Sequence, residues 1–406
     1  MPELIVRNPT PAEVEKAADI AYVVFGQDQD KWQSSFHTIA EMFGERFILV
    51  CEVDGELVST LICTPGPVYV GDAEVSHSAV GAVCTLSQHR RHGCAQALLT
   101  QCVKLLREEG ISTSSLWPAS YEYYRKFGWE VGCEVRTYTA DASALTTIGD
   151  PSKARYASLD DLPEIKKIYD SCARDYNCST LRSDDWWDRI VHIKESLASV
   201  VETGRRVIVS IADDGQLSGY AIYAVRTEEE RKLFFISEIM CPDNEHRRNI
   251  LAMLASIEPD ARIRFSTPVD DLFFHGIPNP RLINAMVRPS FEFRIADPLK
   301  AMASLKPMEH ISCSFTLSID DPVFAHGFEF DVRAKDGKVE IDKPLSNNKL
   351  RMDVQTLAKL YTGYLDPMYA WQLGKIKTDG DAMRALVDAS GVFSPLTPFR
   401  SWVEPG

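Results

Sequence analysis

Ser78-Ala79-Val80-Gly81-Ala82-Val83-Cys84-Thr85-Leu86 and, after Ser87-Gln88-His89, Arg90-Arg91-His92-Gly93-Cys94-Ala95 carry more information about this chain than any other part of it. The first piece is an apolar run of strand length. Behind the second, Leu98, Leu99, Cys102, Leu105 and Leu106 recur at helical spacing. Strand, basic glycine-containing turn and helix N-terminus in that order make an anion site. The first N–H groups of a helix have no intrahelical partner, and the helix dipole adds partial positive charge there. Arg90 and Arg91 add charge-assisted contacts. Gly93 lets the backbone approach a pyrophosphate closely, and Ala95 is small enough two positions on. The bland alternative is an ordinary helix start with exposed arginines and a turn glycine, so the flanking sequence has to decide.

Working outward, Thr10 with Glu13 three residues later reads as a capping box opening a helix along Val14, Ala17, Ala18 and Ala21. Phe47 to Val53, then Asp54-Gly55, then Leu57 to Cys63 reads as a hairpin. Both patterns recur. Ser158 and Asp161 precede Leu162, Ile165, Ile168 and Tyr169, with Arg155 standing before the cap as Arg7 stands before Thr10. Val207 to Ala212, Asp214-Gly215 and Leu217 to Val225 repeat the hairpin. Two related α/β domains in tandem are expected, at 1–150 and 151–300. From about 305 the texture changes to strands at Ser314 to Ile319, Phe328 to Val332 and Val339 to Ile341. A helix with Val354, Leu357, Leu360 and Tyr361 on one face follows, with Gly363 as its stop, so a third α+β domain is expected at 301–406.

A chain of 406 residues exceeds what one core organises, which agrees with several domains. Its net charge of −14 argues against nonspecific nucleic-acid binding and suits a cationic small substrate. No apolar run of about 18 residues spans a membrane, and Met1-Pro2-Glu3 lacks the layout of a signal peptide, so the expected location is the cytoplasm. The ten cysteines form no C-x-x-C pair and read as reduced, buried thiols. His89 and His92 lie near Cys94 without a common zinc spacing, and no metal is expected.

Downstream, Thr113-Ser114-Ser115-Leu116-Trp117-Pro118 reads as a short strand and Tyr121 to Trp129 as a short helix breaking into another strand. Arg90-Arg91-His92-Gly93-Cys94-Ala95 together with Tyr124-Arg125-Lys126-Phe127-Gly128-Trp129 resembles the GNAT acetyltransferase superfamily, in which an R-x-x-G-x-[GA] loop is partnered by Y-x-x-F-G-[FYW]. Two such halves followed by Asp353-Val354-Gln355-Thr356-Leu357-Ala358-Lys359-Leu360-Tyr361-Thr362-Gly363-Tyr364 resemble the Eis-like (enhanced intracellular survival) acetyltransferases over nearly the whole chain.

That resemblance implies tandem GNAT domains, each a mixed central sheet flanked by helices, the second of them degenerate, plus a C-terminal sterol carrier protein-like domain. It implies acetyl-CoA as co-substrate and a homohexamer built as a dimer of trimers. It places the pantetheine arm on Val83, Cys84 and Thr85, and the pyrophosphate on Arg90, Arg91, His92, Gly93, Cys94 and Ala95. It makes Tyr124 the general acid, a role a neutral phenol can fill. The family's general base, the chain's own C-terminal carboxylate, transfers to Gly406. Relatives normally end in an aromatic residue, whereas this sequence ends Trp402-Val403-Glu404-Pro405-Gly406, so the Glu404 side chain is a second candidate for that carboxylate. The acceptor pocket transfers to Phe25, Asp28 and Trp32, a set suited to a cationic amine. Glu245-His246-Arg247-Arg248-Asn249-Ile250-Leu251-Ala252, the counterpart of the loop in the second half, has no glycine and reads as inactive. The leading expectation is acetylation of a primary amine on an aminoglycoside- or polyamine-like small molecule. The alternatives are lysine acetylation on peptides and a non-catalytic lipid-binding protein on the same scaffold.

Overall fold

The computed structural model describes residues 3–26, 28–199 and 204–405. Two compact units are built from Met1–Gly132 with Phe291–Pro395, and from Cys133–Ser290 with Leu396–Glu404. The first unit opens with β1 (Leu4–Arg7), α1 (Val14–Phe25), α2 (Gln29–Phe43), β2 (Ile48–Val53), β3 (Glu56–Pro65), β4 (Val68–Val70), β5 (Ala73–Val75) and β6 (His77–Thr85). It continues with α3 (Cys94–Glu108), β7 (Thr113–Leu116), α4 (Tyr121–Arg125) and β8 (Glu130–Val131). The second unit contains β9 (Glu134–Asp141), β10 (Ala154–Tyr156), α5 (Leu162–Ala173), α6 (Ile193–Ala198), β11 (Arg205–Ile211), β12 (Leu217–Glu228), β13 (Arg231–Met240), α7 (Asn244–Ile257), β14 (Arg262–Pro268) and β15 (Ile283–Pro289). The first unit then resumes with β16 (Glu292–Ile295), α8 (Pro298–Ser304), β17 (Cys313–Asp320), β18 (Phe328–Lys335), β19 (Lys338–Asp342) and β20 (Lys349–Asp353). Its last elements are α9 (Val354–Tyr361), α10 (Pro367–Gln372), β21 (Lys377–Asp379) and α11 (Ala382–Val392).

The repeated capping pattern closes in the same way in both halves. Glu13 accepts the Thr10 backbone N–H at 2.8 Å and Arg7 grips the same carboxylate at 2.8 Å. Asp161 accepts the Ser158 N–H at 2.7 Å while Arg155 forks it at 2.7 and 2.8 Å. Asp54 and Gly55 turn the first hairpin with positive φ, as the sequence predicts.

The first sheet has the order β1-β2-β3-β6-β7-β16-β8, the second β10-β11-β12-β13-β14-β9-β15, and the third β19-β18-β17-β20-β21. Sequence order alone does not give this arrangement. β9, which directly follows β8 in the chain, belongs to the second sheet, and β16 is inserted between β7 and β8 of the first. β16 pairs antiparallel with both neighbours and is buried along its whole length. A strand in that slot covers a β7 edge that would otherwise present unpaired N–H and C=O groups. The apolar face of α3, with Leu98, Leu99, Cys102, Val103 and Leu106, is buried against β2, β3 and β6. All ten cysteines are free thiols, and eight of them are buried.

Candidate acetyl-transfer site

β6 and β7 run parallel and pair only over His77–Ala79 against Thr113–Ser115. Beyond that point β6 continues to Thr85 while β7 ends at Leu116, so the strands part. Val80 to Thr85, including Val83 and Cys84, have no ladder partner on the side facing β7. A bulge produces the divergence: Ile62 pairs with Gly81 and Thr60 with Cys84, leaving Ala82 at φ +53. Extra residues of this kind bend a strand and turn its backbone groups outward.

The chain then turns through Arg91 at φ +67 and Gly93 at φ +88 into α3. Gly93 is the N-cap and no side chain caps the helix, so its first N–H groups stay available. A Cβ on Gly93 would meet no atom of the described residues within 4 Å. Arg90, Arg91 and His92 are exposed around this turn, with Arg90 Nε donating to the Thr85 carbonyl at 3.3 Å. Cys94 is buried beneath it and Ala95 half-buried. An uncapped helix start, a glycine in the left-handed region and two exposed arginines together suit an acyl-CoA diphosphate.

Tyr124 projects from α4 with 7% exposure. Burial, then the neighbouring Tyr123, Glu292 and Cys84, push its phenol up to about 12. Tyr123 packs edge-on against both Tyr124 and Phe127. The glycine of the Tyr124–Trp129 motif has two reasons to be glycine. Gly128 sits at φ +91, and a Cβ there would lie 2.6 Å from the Arg294 guanidinium. Arg294, on β16, donates to the Phe127 carbonyl at 2.9 Å and forks Asp321 at 2.7 and 2.9 Å. Arg125 forks Glu130 at 2.7 and 2.9 Å, Gln355 of α9 donates to the Arg125 carbonyl at 3.0 Å, and Lys359 stands 3.5 Å from Glu130. The helix that presents Tyr124 is thus braced by β16 and α9. Glu292 and Arg294 were missed from sequence, although two charges inside Phe291-Glu292-Phe293-Arg294-Ile295 are an unusual pattern for a buried strand.

At the α1–α2 turn, Phe25 and Trp32 stack with centroids 5.4 Å apart and planes at 23°. The Trp32 indole N–H donates to the Gly26 carbonyl at 3.1 Å, and Asp28 caps α2 by accepting from the Asp30 N–H at 3.1 Å. The structure therefore brings Phe25, Asp28 and Trp32 together, with one Asp28 oxygen already engaged.

Residues 5–132 match the acetyltransferase (GNAT) domain family, residues 178–295 match a second acetyltransferase (GNAT) domain family, and residues 293–401 match the sterol carrier protein domain. This chain is a GNAT-type acetyltransferase. It is similar to an uncharacterized N-acetyltransferase of Streptomyces avermitilis, 22% identical over 346 residues that cover 79% of each chain. In fold it resembles a GCN5-related N-acetyltransferase from Anabaena variabilis, with TM-score 0.84, 18% identity and complete coverage of both chains. It also resembles Eis1 from Mycobacterium abscessus, with TM-score 0.73 and 20% identity over 98% of this chain and 99% of that one. The tandem GNAT domains with a sterol carrier protein-like domain behind them are therefore an Eis-like three-domain fold.

The second GNAT domain of the acetyltransferase repeats the splayed strands with different contents. β13 and β14 pair in parallel only over Leu233–Phe235 against Arg262–Arg264, and Ser237 is the extra residue of a bulge against β12. The segment 396–404 crosses this gap. The Trp402 backbone N–H donates to the Ser237 carbonyl at 3.1 Å, and its indole N–H reaches Ser266 of β14 at 3.3 Å. Asn177 pairs with the same segment at Thr397 and Phe399. Where the first domain has Gly93, α7 is capped by Asp243, which accepts the His246 N–H at 3.1 Å. Its arginines are engaged internally, Arg247 with Asp271 at 2.5 Å and Arg248 with the Gly276 and Asn244 carbonyls.

Of the two candidates for the base, Glu404 is engaged elsewhere. Glu404 is buried, accepting from Arg182 at 2.7 Å and from the Trp186 indole at 3.1 Å. Arg182 also forks Glu238, at 3.0 and 2.5 Å, and Tyr220 and Ser401 donate to the same carboxylate. A carboxylate that neutralises a fully buried guanidinium is not free to accept a substrate proton. Gly406 lies outside the described residues.

Proposed function

We propose that the protein transfers an acetyl group from acetyl-CoA directly to a primary amine of a cationic small molecule, aminoglycoside- or polyamine-like, within residues 1–150. The parted β6 and β7 leading into the uncapped start of α3, with Tyr124 buried on α4 in the same domain, carry this reading. Backbone groups of Val83, Cys84 and Thr85 hold the pantetheine arm, and Arg90 to Ala95 hold the pyrophosphate. Bound acetyl-CoA supplies a thioester open to attack by an amine, with sulfur as the leaving group. Tyr124 donates its phenolic proton to that sulfur, because burial keeps the phenol protonated across neutral pH. Phe25 and Trp32 offer aromatic faces to the ammonium group and Asp28 adds negative charge, in a chain whose net charge of −14 attracts cations.

In this reading the Gly406 carboxylate is the base that deprotonates the amine. Residues 151–300 form a structural GNAT domain that holds the segment 396–404, and residues 301–406 form the sterol carrier protein-like domain that braces α4. The working particle is a homohexamer in the cytoplasm. Thiol release from acetyl-CoA with aminoglycosides, polyamines and lysine peptides tests the proposal. Turnover on the first two classes is expected. Turnover on peptides alone would replace the acceptor class, and no turnover together with no coenzyme A binding would sink the reading.

A further inference from the structure

The second GNAT domain has a cleft of about 840 Å³ on one face of its sheet. The strand register says which face. Along β14 the chain alternates Arg262-Ile263-Arg264-Phe265-Ser266, and successive side chains of a strand point to opposite sides. Ile263 and Phe265, with Ala140 of β9 and Ile283 of β15, are buried in one core with Leu251 and Leu254 of α7. Arg264 lies in one cross-strand row with Thr139 and Asn284, and Thr137 lies with Met286 in the next, on the side away from that core. The cleft runs along those rows, and its volume is that of a small-molecule site.

The charged lining is Arg262, Arg264, Arg281, Arg288, Asp141 and Glu228. Paired charges on a solvated sheet face are ordinary, and part of this set is of that kind. Arg264 forks Glu228 at 2.7 and 3.1 Å and donates to the Thr139 hydroxyl at 3.2 Å. Arg231 takes Asp141 at 3.0 Å, and Glu229 takes Arg262 at 2.9 Å, both from outside the cleft lining. Both carboxylates of the cleft are thus neutralised. Arg281 and Arg288 meet no carboxylate among the described residues, and the Arg288 Nε–H donates to the Met286 sulfur at 2.7 Å. Two guanidinium groups without counter-ions therefore share one cleft in a chain whose net charge is −14.

Guanidinium groups present paired N–H donors that match a carboxylate or a phosphate. Arg281 precedes β15 and Arg288 stands near its other end, so roughly 20 Å of strand separates them. A compact ion cannot engage both. Between them the Asn284 amide has no partner among the described residues, and Leu282 and Met286 expose apolar surface. We propose that this cleft binds an elongated organic dianion, whose carboxylate or phosphate ends are taken by Arg281 and Arg288 and whose uncharged middle lies over Asn284 and Met286. Such a ligand is opposite in sign to the amine acceptor, and its binding does not depend on acetyl transfer.

Calorimetric titration of the full-length protein tests this with dodecanedioate and decanediol bisphosphate, and with succinate and laurate as a short dianion and a long monoanion. At least one long dianion should bind, more tightly than succinate or laurate and more weakly as salt is raised. The tighter of the two long probes identifies the end group. Arg281→Gln and Arg288→Gln should each weaken that binding about tenfold, and the double variant should abolish it. Both side chains are exposed, so neutral replacements leave the fold intact, as circular dichroism would report. Failure of both long dianions to bind, laurate binding as tightly as dodecanedioate, or undiminished binding in the double variant would overturn the assignment. So would a changed particle mass for the ligand-free double variant in sedimentation, which would give the two arginines to contacts between copies of the chain.

Discussion

The two GNAT domains part their parallel strands at equivalent places and put different things there. In the first, a bulge at Ala82 opens β6 from β7, and the chain enters α3 through Gly93 with no capping side chain. In the second, a bulge at Ser237 opens β13 from β14, Trp402 bridges the gap, and Asp243 caps α7. The scaffold is common to both, and the decisive difference is small. A helix N-terminus left uncapped beside exposed arginines attracts a diphosphate, whereas one closed by a carboxylate is already satisfied and repels it. The family matches extend to both domains, so fold membership alone does not say which of them can hold acetyl-CoA.

The comparison breaks most visibly at Tyr124. Replacement by Phe should lower kcat by about 10²- to 10⁴-fold with acetyl-CoA affinity unchanged, measured by thiol release and calorimetry; a small effect would return Tyr124 to an ordinary packed aromatic. In the second domain, Glu404→Ala leaves the Arg182 guanidinium short of one of its two buried carboxylates. A stability loss of about 3 kcal/mol is expected, read as the shift in a urea unfolding curve, with calorimetry still giving one acetyl-CoA per chain. A second binding event in this variant would show that the segment 396–404 alone masks a functional slot.

Gly93→Val comes next. It forces a β-branched side chain into the left-handed region at about 1–3 kcal/mol and places it where the diphosphate fits. Acetyl-CoA affinity should fall about 10- to 100-fold, with the unfolding midpoint moving far less than binding. The smallest effect concerns the feature the halves share. Arg7→Met and Arg155→Met should each destabilise by less than about 1 kcal/mol, because both ion pairs are partly exposed. Glu13 and Asp161 are each held at about 2 by their arginines, below the ordinary carboxylate value. Their contribution is present at neutral pH and is lost as pH falls through the unfolded value toward 2. Acid unfolding curves should therefore converge for parent and variants at low pH; a persisting gap would mean that the arginines act by packing.

Much of the fold could be read locally. Thr10 and Ser158 with their acidic partners, the Asp54-Gly55 hairpin, the strand–turn–helix around Gly93 and the Tyr124–Trp129 motif are short patterns whose chemistry lies in neighbouring residues. β16 could not be read that way. A four-residue strand that inserts between β7 and β8 pairs with residues far away in the chain, and nothing in its own pattern names its partners. Glu404 shows the same limit, since its acidic side chain suited an active-site base until the buried Arg182 was seen to hold it.

The sequence by itself determined where the glycine turn into α3 lies, that Tyr124 belongs to a short helix, and that two related halves precede a third domain. Turns, caps and helix faces are set by residues within a few positions of one another, so spacing is enough to reveal them. Tertiary structure alone decided that β16 braces the first sheet, that Glu292 is buried without a partner, and that Trp402 bridges the second pair of strands. Those features depend on which distant groups meet away from water, and a carboxyl's protonation is fixed by that meeting and not by its position in the chain.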